Sequence, residues 1–222
     1  MEPERIADAA APWHDKIAAV RERLEERDAE EGRAKVGNGG VPEEYDRATD
    51  LAMAEERRWQ RRIPKRYRSA RLSDLEGDLA SVKEWDGESD VLLLGNVGAG
   101  KIHAAVALAR EVHDQGVEVL FRPALALIED LKPDGDPEAL KRATKAGLLI
   151  LDDLGTERRT DFAADRISLL LVTRYDDCLP TIITSNLAPD LLEKQVGERI
   201  WSRLYHDSLR IKTAGTDRRR SA

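Results

Sequence analysis

The stretch "LLLGNVGAGKIHAA", residues 92–105, decides how the rest of the chain is read. A short apolar run leads into Gly95, then Gly98, then Gly100-Lys101, and an alanine-rich stretch follows. The spacing G-x-x-x-x-G-K is that of a phosphate-binding loop, in which glycines let the backbone curl round an anion and a lysine reaches its outer phosphates. The order strand, loop, helix adds to the motif, because successive backbone N–H groups and a helix N-terminus then surround the phosphate. Gly95, Asn96, Val97, Gly98, Ala99, Gly100, Lys101, Ile102 and His103 are therefore the candidate nucleotide-binding segment. The competing interpretation is a glycine-rich turn without a ligand. The pattern also breaks at its last position. Ser or Thr is expected after the lysine, since a hydroxyl there helps to hold Mg²⁺, and Ile102 has no side-chain oxygen.

Apolar runs recur on either side of the loop, at 91–94, 117–121, 148–151 and 181–184, with helix-like stretches between them. That alternation predicts β-α units and a mostly parallel sheet buried on both faces. A last strand is expected at 209–212, and a helix over 104–112 with Gly116 as its stop.

The run "LLILDDLGTE", residues 148–157, puts Asp152 and Asp153 at the C-terminal end of a strand, where ligands sit in open α/β sheets. In a nucleotide hydrolase Asp152 would hold Mg²⁺ directly or through water. Asp153 would orient and deprotonate the attacking water, a task more often given to Glu. A plain turn or helix cap is the alternative for this pair. "TIITSN", residues 181–186, brings Asn186 out at the same edge, where it could bond the γ phosphate or the water; Ser185 and Asn186 could also cap the helix containing Leu191 and Leu192. "GERIWSRL", residues 197–204, sets Arg199 and Arg203 at i and i+4 on one helix face, which for arginines is ordinarily just a solvated face.

Residues 1–68 read as a helical N-terminal arm and 69–222 as the nucleotide-binding core. Trp13, Ile17, Val20 and Leu24 recur at helical spacing, "GNGGVP" at 37–42 breaks the pattern, and a second helical stretch runs from 43 to 62 before Pro64. The arm either packs on the main domain as a hairpin or docks a partner, since two thinly apolar helices on a glycine hinge bury little alone.

A length of 222 residues suits one α/β domain with an appendage and excludes two large domains. With 36% charged and 5% aromatic residues, the core must be built on Leu, Ile, Val and Ala. The net charge of −7 argues against a surface coated with nucleic acid, but leaves room for a local basic groove drawing on Lys141-Arg142 and Arg158-Arg159. The single cysteine, Cys178, excludes an intramolecular disulfide and a cysteine-based zinc cluster, and suits a reducing compartment. The acidic start has no signal-peptide core, and no run approaches the roughly 18 apolar residues of a membrane span. The expected location is cytoplasmic, away from membranes.

With these four elements in this order, the sequence resembles the AAA+ ATPases of the DnaC-type helicase loader and IstB-like group, over about residues 60–220. The lead-in "IPKRYRSARLSDL" at 63–75 and the closing "AGTDRRR" at 214–220 belong to the likeness. The resemblance implies a P-loop NTPase core with a five-stranded parallel sheet, ATP with Mg²⁺ as cofactors, and no C-terminal helical lid domain. It further implies Asn186 as a polar sensor, and self-association in which Arg203 acts as an arginine finger on a neighbour's γ phosphate. Loaders of this group bind single-stranded DNA through the core and grip a replicative helicase through a variable arm; IstB-like relatives assist a transposase. The expectations are a helicase-loading ATPase with Trp13 and Ile17 as arm anchors, and Arg122, Lys141, Arg142, Lys145, Arg158 and Arg159 as candidates for the DNA backbone. A transposition helper and a nucleotide-gated scaffold without hydrolysis are the alternatives. Because Ile102 and Asp153 depart from the pattern, binding should survive better than hydrolysis, and turnover should be weak and dependent on assembly.

Overall fold

Strands covered on both faces need apolar side chains at consecutive positions, and β1 (Asp90–Gly95) supplies them with Val91, Leu92, Leu93 and Leu94, all buried. The computed structural model describes residues 47–157 and 160–213, together with Ile17, Glu22 and Glu26. In it β1 lies inside a five-stranded sheet with β2 (Val119–Pro123), β3 (Leu148–Asp152), β4 (Thr181–Ser185) and β5 (Ser208–Thr213), in the order β2-β3-β4-β1-β5. Every pairing is parallel. The expected sheet and its five strands are therefore present.

Alternation along the strands splits the core in two. Val91, Leu93, Leu148, Ile150 and Ile182 face one layer, with α1 (Arg47–Arg62) and α2 (Lys101–Asp114). Leu92, Leu94, Leu149, Leu151 and Ile183 face the other, with α3 (Ala124–Asp130), α4 (Ala139–Lys145), α5 (Asp161–Asp176), α6 (Pro189–Val196) and α7 (Glu198–His206). In α2 the small residues Ala104, Ala105, Ala107 and Ala109 are wholly buried, so the helix backbone approaches the sheet closely.

The second strand starts two residues later than the apolar run at 117–121 suggests. Gly116, at φ 84°, donates to the His113 carbonyl and Val117 to that of Val112, so both residues finish α2. At the same edge, where the strands start, buried Arg174 of α5 donates to the carbonyls of Ala143, Ala146 and Pro180 and to the Thr181 hydroxyl, tying α4 to the start of β4.

The helix expected at 43–62 is present as α1 over its described part, while residues 43–46 and the 37–42 hinge lie outside the described residues. Trp59, Ile63 and Ile17 are each 1% exposed and share a cluster with Leu75, Leu79 and Val91. Trp59 donates from its indole N–H to the Arg68 carbonyl, stacks against His113, and carries the Arg110 guanidinium over its ring. Arg110 also pairs with Glu56 of α1 at 2.8 Å. Ile17, named as an anchor for a partner, is buried in the same apolar cluster as Trp59 and Ile63, which is the other expectation for the arm, packing on the main domain. Trp13 lies outside the described residues. Among the described residues no helix is long and apolar enough to cross a membrane.

Two outcomes follow. Trp59→Ala should cost about 3–5 kcal/mol of unfolding free energy in urea titrations, and a loss no larger than a surface substitution gives would mean that α1 is not part of the core. Asp90, whose Oδ1 accepts from the Thr181 N–H, is held by burial at a pKa of about 6, against 3.8 in the unfolded chain. Its contribution to stability is thus full below the unfolded value and lost as pH rises through the folded one. Asp90→Asn keeps the acceptor and removes the ionisation. From pH ~4 to ~7 the wild type should therefore lose on the order of 2–3 kcal/mol relative to the variant; a difference that stays constant with pH would refute this.

Candidate nucleotide-binding site

Parallel strands end at a common edge, and three of the expected site segments meet there. β1 ends at Gly95, where the chain passes flat beside β5: a Cβ at this position would lie 2.2 Å from Thr213 Oγ1 and 2.4 Å from its carbonyl oxygen. The loop then turns through Gly98 at φ 80° and Gly100 at φ 95°, left-handed values that suit glycine. α2 begins at Lys101, with Gly100 at its cap position and therefore no capping side chain. The first N–H groups of the helix have no intrahelical partner, which is the arrangement that receives an anion.

Lys101 folds back across this loop and is 7% exposed. Its Nζ donates to the carbonyls of Gly95 at 2.7 Å and Asn96 at 2.8 Å, and to Asn186 Oδ1 at 2.7 Å. Asn186 in turn donates from Nδ2 to Asp153 Oδ1. The Asp153 N–H donates to Thr184 Oγ1 at 2.9 Å, and that hydroxyl donates to Asp152 Oδ1 at 2.6 Å. Lys101, Asn186, Asp153 and Asp152 thus form one connected network, and the expected edge position of Asn186 is what links it. The alternative cap role for Ser185-Asn186 is not found: Ala188 caps α6, and Ser185 donates to the Leu154 carbonyl.

The two acids differ. Burial raises the Asp152 pKa, with the Asp153 charge pushing the same way, while the Thr184 hydroxyl and the Lys101 ammonium pull it down. Asp153 sits where β3 has ended, at φ 59°, a left-handed value that a non-glycine residue adopts at some cost. The turn after it is closed by Glu157, whose carboxylate accepts from the Gly155 N–H at 2.8 Å.

A cavity of about 690 Å³ opens over this network, within the size range of small-molecule sites. Its floor includes Gly98, Gly100, Lys101, Asp152, Thr184 and Asn186. The opposite wall comes from the short helical turns of the lead-in, through Arg66, Tyr67, Asp74, Leu75 and Leu79. Asp74 Oδ2 lies 3.7 Å from His103 Nε2 across the cavity. Neither Thr184 nor this wall follows from the motif reading alone. Period-two alternation does place Thr184 on the same sheet face as Asn186, and the lead-in is the other available signal.

A triphosphate fits this site: N–H groups at a helix start, a lysine and two acids at a strand edge converge on one cavity. For Mg²⁺ the match is narrower. Among the described residues no three His, Cys, Asp or Glu side chains come together to hold a metal, but a Mg²⁺ shared with phosphates and water takes only one or two carboxylates. Ile102 also lines the cavity, yet its side chain packs against the apolar cluster and offers no ligand. A second cavity of about 780 Å³ lies at the opposite sheet edge, lined by Glu84, Asp86, Glu88, Asp90 and Asp207; carboxylates there would repel a triphosphate.

Arg203 is not brought to this site. It stands on α7 with its guanidinium 5.1 Å over the Tyr175 ring and 3.8 Å from Asp176, while Arg199 is exposed. The basic residues expected on DNA are interleaved with acids: Arg122 with Asp130, Lys141 with Glu138, and Arg142 with Asp136. Arg158 and Arg159 lie outside the described residues.

Comparison with known proteins finds relatives named for ATP binding and for helicase loading. An insertion-sequence ATP-binding protein of Mycobacterium tuberculosis is 32% identical over 147 residues, covering 62% of this chain and 59% of that protein. The replicative helicase loader DnaI of Bacillus subtilis is 27% identical over 158 residues, covering 64% and 51%. The chain therefore spans about half to three-fifths of these relatives' length. The crystal structure of the DnaC helicase loader superposes with a TM-score of 0.59 at 27% identity, covering 67% of this chain and 99% of that one. AMPPCP-bound DnaA from Aquifex aeolicus, at 20% identity and a TM-score of 0.56, covers 70% and 53% and shares the fold. The core is that of an AAA+ P-loop ATPase, and, with the family model for IstB-like ATP-binding proteins matching residues 50–221, the chain belongs to that family.

Proposed function

We propose that this protein binds ATP with Mg²⁺, hydrolyses it slowly, and uses the bound state to place a replicative helicase on single-stranded DNA. The observation that carries the ATPase part is the unbroken chain of hydrogen bonds from Lys101 through Asn186, Asp153 and Thr184 to Asp152. The helicase part is supported by the likeness to DnaC and DnaI, named as helicase loaders. A second reading, a transposition helper, is favoured by insertion-sequence relatives at 29–32% identity.

In the proposed mechanism the loop N–H groups and the start of α2 take the phosphates. Lys101 would exchange its contacts with the Gly95 and Asn96 carbonyls for phosphate oxygens, and the N–H of Asn186 Nδ2 that is not given to Asp153 would donate to the γ phosphate. When bound, Mg²⁺ would supply neutralisation of the phosphate charge. Asp152, held by the Thr184 hydroxyl, would bind the ion directly or through water, and Asp153 would accept a proton from the water that attacks the γ phosphorus as its bond to the bridging oxygen breaks and ADP leaves. Arg203, which lies beside Tyr175 and Asp176 and does not line its own cavity, would act on a neighbouring subunit's nucleotide.

Lys101→Ala should weaken ATP binding by about 10- to 100-fold in calorimetry. Arg203→Ala should keep that affinity and lower DNA-stimulated phosphate release by at least about tenfold. Ile102→Thr should raise Mg²⁺-dependent release, and an unchanged rate would mean that residue 102 does not limit turnover. Phosphate release no higher than that of Lys101→Ala, with or without single-stranded DNA, would replace the ATPase reading by a nucleotide-gated scaffold. Capture of a purified hexameric helicase by the full chain, with no capture of a transposase, supports loading; the reverse supports the transposition helper.

A further inference from the structure

We infer that Thr184 is a positioning residue of the nucleotide site: its hydroxyl holds the Asp152 carboxylate in the orientation that a divalent cation requires. The inference rests on the reading of the cavity as an ATP and Mg²⁺ site, and it concerns a side chain that no phosphate-loop motif contains.

The direction of the hydrogen bonds carries the argument. A backbone N–H can only donate, so the Asp153 N–H at 2.9 Å fixes one side of the Thr184 hydroxyl as an acceptor. The hydroxyl proton is left for Asp152 Oδ1 at 2.6 Å. Thr184 is 1% exposed, so its hydroxyl is held by these two partners rather than by bulk water. β-branching restricts the side chain further, because Thr has few χ1 choices in a strand. The register places the pair: Leu151 stands opposite Ile183, so Asp152 and Thr184 follow side by side where β3 and β4 end.

Ile102 makes this placement matter more. Where a loop ends in Ser or Thr, that hydroxyl shares in fixing the metal. Here residue 102 packs into the apolar cluster, and the protein's hold on the ion falls to Asp152. Mg²⁺ demands near-octahedral geometry at short distances, so a carboxylate free to swing binds it less well.

The test is Mg²⁺ titration of the tightening of a non-hydrolysable ATP analogue, followed by calorimetry on the full chain. Thr184→Val should raise the half-saturating Mg²⁺ concentration by about 10- to 100-fold, each titration being read against that protein's own affinity in EDTA. Thr184→Ser, which keeps the hydroxyl, should titrate like the wild type. If the valine variant does not fold, Thr184→Cys, a weaker donor of similar volume, is read on the same scale and should also need more Mg²⁺. An unshifted titration for valine or cysteine, or a serine variant as impaired as either, overturns the role of Thr184 while leaving the site intact. A wild type whose nucleotide binding ignores Mg²⁺ overturns the site reading, and this inference with it.

Discussion

The parallel register of β3, β4 and β1 is the constraint on which the site depends. Because all strands run one way, their carboxyl ends share an edge, and backbone pairing sets how far each projects. Leu94 lies opposite Ser185, and Leu151 opposite Ile183. A slip of one residue would turn Asp152 and Thr184 to the other face of the sheet, away from Lys101. Both faces are apolar, so it is the fit of particular side chains that opposes the slip: Leu93, Ile150 and Ile182 are packed in one core and Leu94, Leu151 and Ile183 in the other. Burial of the strands on both faces is thus also what aligns the polar residues at their ends.

Much of this was legible in the sequence because it rests on local pattern. Consecutive apolar residues mark the strands, glycines at positive φ mark the loop, and acids after a strand mark the ligand edge. Less legible were features set by what packs against what. Ile17 has helical spacing like any arm residue, and only the seat provided by Trp59 and Ile63 shows that it faces inward. Arg122, Lys141 and Arg142 look like a basic groove until Asp130, Glu138 and Asp136 come beside them. Thr184 was hidden because a β-branched residue inside an apolar strand reads as core, and its use of the hydroxyl depends on a neighbour thirty-two positions away.

The helix of the arm packs on the helix that opens the nucleotide site. α1 is fastened to α2 by Trp59 against His113 and by Arg110 to Glu56. The segment after α1 continues into the wall carrying Tyr67, Asp74 and Leu79. α2 itself begins with Lys101. A displacement of α1 therefore has two physical routes to the cavity, through the body of α2 and through the lead-in. Both are packed rather than loosely tethered, so a partner that pulled on the arm would have to disturb buried contacts.

Ile102 illustrates how a site can lose a ligand without losing its form. A hydroxyl at that position would face the metal; an isoleucine exchanges that contact for apolar packing against the cluster beneath the loop. Such burial is worth about 1.5–3 kcal/mol for a side chain of this size when complete, and less here because Ile102 is only partly buried. The loop backbone, which supplies most phosphate contacts, does not depend on that side chain. Its shape is set by Gly95 against Thr213 and by the left-handed turns at Gly98 and Gly100. Under the proposed function the two tasks that the usual loop combines would be separated: the backbone keeps a form that can cradle an anion, and placement of the metal would pass to the ends of β3 and β4.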